Sequence, residues 1–117
     1  VLFVLLLILL VGHFAFRVYS YREEYLLRYD EAYWKDRYLS SQWVDPLSKT
    51  PIGDDGLYAY AGWEYIHGRN PTTLNAEMPP LGKYLIGLSI LVFGNQNIFA
   101  LVVGLLAIGI WFYFNLL

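Results

Sequence analysis

The chain has 117 residues, of which 57% are hydrophobic and 15% are charged, and its net charge at pH 7 is −2. It contains no cysteine, which excludes disulfide bridges and thiolate metal sites. A slightly acidic balance gives no basic footprint for nucleic acid, so that class of partner is excluded.

The chain begins with an apolar run that predicts a transmembrane helix over residues 1–19. Its first charged residue is Arg17. A bilayer-spanning helix needs about 20 apolar residues, and this run is close to that length. A cleaved signal peptide fits less well, because both the basic leader and the small-residue cleavage site are missing.

Residues 20–79 form a polar loop between two hydrophobic blocks, and all charged residues lie between Arg17 and Lys83. Acidic residues slightly outnumber basic ones there. Acidic residues count little in the positive-inside rule, which also weakens for a loop of about 60 residues, and on charge alone we place the loop on the extracytoplasmic side. The first helix predicted in this loop covers about 21–43. Two acid–base pairs in it are spaced four residues apart, and tyrosines also recur every fourth residue. This pattern fits a helix lying among lipid headgroups, and it equally fits an amphipathic helix packed on its neighbours.

A second loop helix is predicted over 54–67. Asp54 or Asp55 is expected to cap its start, and Gly68 follows its end. His67 is expected to be a helix-end residue rather than a ligand.

After Lys83 the side chains that could ionise are Tyr84 and Tyr113. The run breaks at Gly94-Asn95-Gln96-Asn97, which predicts transmembrane helices over 80–94 and 98–117. Pro80 is expected at the first position of its helix. The predicted fold is therefore an all-α membrane protein with three transmembrane helices and a long extracytoplasmic first loop containing amphipathic juxtamembrane helices. Both ends of the sequence look cut, and we expect the first portion of a larger membrane protein.

Two features of the loop suggest chemistry. Asp54 and Asp55 are adjacent carboxylates at a helix start, where one explanation is capping and the other is an ionised base or a cation ligand. Lys83 lies in the first turn of its helix, where a cation opposes the helix dipole. It would either snorkel to the headgroups or, with the free helix amides, bind a phosphate.

The segments GDDGLYAYAGWEYIHGRNP and NAEMPPLGKYLIGLSILVFGNQ resemble the first luminal or periplasmic loop of GT-C membrane glycosyltransferases. The likeness is to the protein O-mannosyltransferase and aminoarabinose transferase group and covers about 53–96. In that group an acidic pair precedes a Tyr-Ala-containing helix, and a His-Pro-Pro-Leu-Gly-Lys-like segment opens the next membrane helix.

The resemblance implies transfer of a sugar, mannose being one candidate, from a polyprenyl-phosphate carrier to a hydroxyl group, with inversion. Asp54 would be the base and Asp55 its acidic neighbour, while Glu77 and Lys83 would bind substrate. The acceptor would be a protein, a lipid or a glycan. Met78 departs from the family, because it stands where mannosyltransferases usually carry histidine.

Two alternatives stay open. Asp30 and Glu31 form a second acidic pair before an aromatic segment, and a solvated helix face with Glu31 paired to Lys35 also explains them. The chain could instead belong to a non-catalytic membrane transporter or assembly subunit, in which the acids are caps and ion-pair partners. No cofactor or metal site is predicted, although an acidic pair is able to hold a divalent cation.

Overall fold

The computed structural model describes residues 2–116, so the end positions of the predicted spans 1–19 and 98–117 lie outside the described residues. The described chain is helical: α1 is Leu2–Ser20, α2 is Arg22–Leu26, α3 is Glu31–Leu39, α4 is Asp54–Ile66, α5 is Pro80–Phe93 and α6 is Ile98–Leu116. A single 3₁₀ turn, Pro71–Thr73, lies between α4 and α5.

Two of these helices, α1 and α6, are long and apolar enough to cross a membrane. They belong to one compact unit that also contains the residues up to Leu27 and from Asn97 onward. The side chains of Phe3 and Trp111 stack at a centroid distance of 5.3 Å, and the ring of Phe14 lies against Gly104. Since the start of α1 touches the end of α6, the two helices are antiparallel. Ser20 and Ile98 therefore lie at the same end of the pair.

A third spanning helix is not shown. The stretch 80–94 does form a helix, and Pro80 is its first residue as predicted. Its 14 residues span about 21 Å, which is shorter than the roughly 30 Å of a bilayer's hydrocarbon core. Four of its residues are buried, and the whole helix belongs to the second compact unit, Arg28–Gln96.

The helix predicted over 21–43 is divided in the structure into α2 and α3. The backbone of Leu27 is extended, and so is that of Asp30. Asp30 starts a new helix because its carboxylate accepts a hydrogen bond from the backbone N–H of Tyr33 at 3.0 Å. Glu64 and Arg69 form an ion pair. The expected ion pair of Glu31 with Lys35 is not formed within residues 2–116.

The core of the second unit is aromatic and centred on α4. Tyr60, Ala61, Tyr65 and Leu74 are buried together. Tyr38 of α3 stacks on Tyr60 at 4.8 Å, which fixes α3 against α4.

The crossing of α4 and α5 is closer than ordinary side chains allow. A Cβ atom on Gly62 would lie 2.3 Å from the carbonyl oxygen of Lys83, and one on Gly87 would lie 2.2 Å from the carbonyl oxygen of Gly62. Glycine at both positions lets the two backbones touch. This contact fixes where the start of α5 lies along α4.

Candidate functional site

The acidic start of α4 is held by a hydrogen-bonded loop. The side-chain amide of Gln42 donates to the carbonyl of Ile52 at 3.0 Å, and its oxygen accepts from the Ile52 N–H at 2.9 Å. Arg37 donates to the carbonyl of Pro51 at 2.9 Å. Because these bonds fix the two residues before Gly53, they also fix the direction in which α4 begins.

Asp54 and Asp55 are the first two residues of α4, and both are exposed. The prediction that one of them caps the helix is wrong, because Gly53 is the N-cap and no side chain caps this end. The carboxylate of Asp55 instead lies over Gly53, where its Oδ1 would be 2.8 Å from an added Cβ. Neither carboxylate caps the helix, and both lie at the positive end of the helix dipole.

The next residue, Gly56, lies directly against the ring of Trp34, since an added Cβ would be 2.3 Å from that ring. One turn after the acids, Tyr58 places its ring 5.5 Å from the Nζ atom of Lys83. Four residues of helix rise about 6 Å. Asp54 therefore lies about one helical turn along α4 from the tyrosine that faces Lys83.

Lys83 is buried, with 2% of its surface exposed. Its ammonium donates to the carbonyl of Asn75 at 2.5 Å and to that of Met78 at 3.0 Å. The ring of Tyr65 lies 5.8 Å away on another side. The snorkelling explanation is therefore wrong, because the ammonium points into the protein and holds the Asn75–Met78 turn closed. We call this arrangement the lysine clasp.

Asn75 has a positive φ of 50° in the clasp, and its Oδ1 is buried without a hydrogen-bond partner in the described residues. Asparagine tolerates this left-handed region better than most other non-glycine residues. The exposed Glu77 follows in the same turn, and its negative charge acts on Lys83. A small cavity of about 110 Å³ lies beside the clasp between Tyr58 and Met78. Glu77 thus lies on the turn that Lys83 of α5 holds through two hydrogen bonds.

A second polar group, which the sequence did not indicate, lies at the C-terminal end of α4. Arg69 forms a 3.0 Å ion pair with Glu64, and its charge also acts on the buried Tyr60. Burial raises the pKa of Tyr60, and the nearby carboxylate of Glu64 adds to that effect. Burial likewise raises the pKa of Tyr29, with Glu31 and Glu64 contributing.

His67 is the C-cap residue of α4, as predicted, and its Nδ1 lies 2.8 Å from the carbonyl oxygen of Trp63. Gly68 follows with a φ of 94°. Within residues 2–116 no group of three His, Asp or Glu side chains is arranged to hold a metal ion.

No known protein family, curated protein or solved structure matches the chain. The likeness to GT-C enzymes therefore depends on the quoted sequence segments. In the structure those segments form α4, the lysine clasp and α5, all within the unit Arg28–Gln96.

Proposed function

We propose that the chain belongs to an integral membrane glycosyltransferase of GT-C type, which moves a sugar from a polyprenyl phosphate to a hydroxyl acceptor. The observation that carries the proposal is the close contact of α4 with α5 at Gly62 and Gly87. It brings the helix with two uncommitted carboxylates against the helix that holds the lysine clasp. The unit is attached to two apolar helices long enough to span a membrane, which suits a lipid-linked donor.

In the proposed reaction the acceptor oxygen attacks the anomeric carbon as the bond from that carbon to the phosphate oxygen breaks. The phosphate leaves with the bonding electron pair, and the acceptor proton passes to the Asp54 carboxylate. The configuration at the anomeric carbon is inverted because attack and departure occur on opposite faces. Asp54 is suited to this role because it is exposed and makes no cap.

The structure favours a positioning role for Lys83. Two of its three protons are donated to backbone carbonyls. Its positive charge still adds to that of the free N–H groups at the start of α5, where a phosphate would be favoured. Glu77, on the same turn, would meet the sugar or the acceptor at the entrance. This proposal includes placement of the loop on the extracytoplasmic face.

The test is donor-dependent transfer. Membranes containing the protein are given defined polyprenyl-phosphate sugars and a hydroxyl acceptor, and glycoside and polyprenyl phosphate are quantified. The proposal expects the two products in equal amounts, with the glycoside inverted at the anomeric carbon. Retained configuration would refute the direct displacement. Absence of transfer with every polyprenyl-phosphate sugar, with the protein folded in the membrane, would favour the non-catalytic alternative.

A further inference from the structure

A cleft of about 470 Å³ lies on the same unit, away from the acidic start of α4, between the beginning of α3 and the end of α5. Its walls are Arg28, Tyr29, Glu31, Trp63 and the stretch 90–94. A second depression adjoins it, shares Arg28 and Glu31, and adds Lys35. The two walls are joined by a hydrogen bond of 2.8 Å from the Tyr29 N–H to the Gly94 carbonyl.

The lining combines three kinds of group. Arg28 and Glu31 are both exposed, so each charge is accessible to a ligand. The rings of Tyr29 and Trp63 lie 5.4 Å apart and present aromatic surface, which attracts ammonium groups. The end of α5 adds the negative pole of its helix dipole. The lining thus contains a group that suits a phosphate and several groups that suit a cation.

We propose that this cleft binds the headgroup of a phospholipid that carries both a phosphate and a primary amine. Arg28 binds the phosphate, for which a guanidinium is well suited, and Glu31 binds the ammonium. A headgroup with a phosphate and no amine would leave Glu31 facing a like charge. The inference does not depend on the proposed glycosyl transfer, because it uses neither Asp54 nor the lysine clasp.

Chain connectivity favours a lipid over a free solute. Gly94 is four residues before Ile98, the first residue of α6, and four residues reach about 14 Å at most. The Gly94 wall of the cleft is therefore joined by a short linker to an apolar helix long enough to span a membrane. The nearby wall residues Leu91, Val92 and Phe93 are 60%, 67% and 50% exposed. Their exposed apolar surface suits an acyl chain below the headgroup.

The test is lipid retention by the purified chain in detergent, measured by native mass spectrometry. Phosphatidylethanolamine, phosphatidylcholine and phosphatidylglycerol are supplied at equal concentration. We expect phosphatidylethanolamine to be retained about fivefold more than phosphatidylglycerol, an effect of the size expected for one partly exposed charge pair. Glu31→Gln should remove this preference, and Arg28→Gln should lower retention of all three lipids, because each of them carries the phosphate.

The matched controls are Glu23→Gln and Lys49→Gln, which neutralise exposed charges outside the cleft. They should leave lipid retention unchanged. If the unaltered chain retains phosphatidylglycerol as strongly as phosphatidylethanolamine, or more strongly, the proposal is overturned. Equal losses in the control and cleft variants would also overturn it, since they would show a general effect of surface charge.

Discussion

Gly62→Ala is the substitution that most directly tests the contact between α4 and α5. The added methyl group would lie 2.3 Å from the Lys83 carbonyl oxygen and 2.9 Å from the Gly87 nitrogen. Both are backbone atoms, so the clash is relieved when the helices move apart by about 1 Å. Overpacking of this kind costs about 3 kcal/mol, and alanine's better helix propensity returns about 1 kcal/mol. We expect a net loss of about 2 kcal/mol in the free energy of unfolding.

Gly82→Ala is the matched control, because it lies on α5 and an added Cβ meets nothing within 4 Å. It should be neutral or stabilise the unit by up to about 1 kcal/mol. The assay is denaturant unfolding in detergent followed by tryptophan fluorescence, since Trp34 and Trp63 both lie in this unit. Gly62→Ala and Gly87→Ala combined should cost less than their sum, because either one separates the same two helices. Equal stability of the Gly62 and Gly82 variants would refute the close crossing.

Three further substitutions test other parts of the same unit. Lys83→Met leaves two backbone carbonyls of the clasp without their donor and should destabilise the unit by about 2 kcal/mol in the same assay; an unchanged midpoint would contradict the clasp. Gln42→Ala removes both bonds to the buried Ile52 and should cost about 2 kcal/mol, whereas a loss below a few tenths would show that the loop does not depend on them. Tyr29→Phe removes a buried hydroxyl that has no partner in the described residues, so stability should be unchanged or rise by about 1 kcal/mol. Burial raises the pKa of Tyr29 above its ordinary value of 10.0, so the free energy of unfolding should fall as pH rises above that value. The fall should be less steep in the Phe variant. Identical pH profiles of the two proteins would contradict the role of Tyr29.

Several elements could be predicted because local sequence determines them. Hydrophobic runs of spanning length give α1 and α6, and Pro80 and Gly94 delimit α5. Gly68, with its positive φ, ends α4 where glycine predicts an end. Each of these features depends on a few neighbouring residues, so it can be predicted without knowledge of tertiary contacts.

The lysine clasp could not be predicted, because it depends on a contact between separate segments of the chain. The Lys83 ammonium donates to the carbonyls of Asn75 and Met78, and residue type alone does not show that these backbone carbonyls point toward it. The same limitation applies to Glu64 and Arg69, which are five residues apart and pair across a helix end rather than along a helix face.

The predicted 21–43 helix is divided because a helix cap interrupts a stretch whose residue spacing favours one continuous helix. Four-residue spacing of charges and tyrosines indicated one helix, yet Asp30 caps a new helix in the middle of that pattern. At the start of α4, by contrast, the prediction of a side-chain cap is wrong. Carboxylates at a helix start suggested capping, but the preceding Gly53 already occupies the cap position and leaves both acids uncommitted.

The transfer rate of Asp54→Asn tests whether Asp54 is the base of the proposed glycosyl transfer. Asp36→Asn is the control, since Asp36 is also exposed and keeps the same change of charge. Loss of general-base catalysis costs a factor of about 10² to 10⁴. We predict a fall of that size for Asp54→Asn, with membrane insertion and unfolding unchanged and with Asp36→Asn near normal. Transfer at a near-normal rate by Asp54→Asn would contradict the assignment.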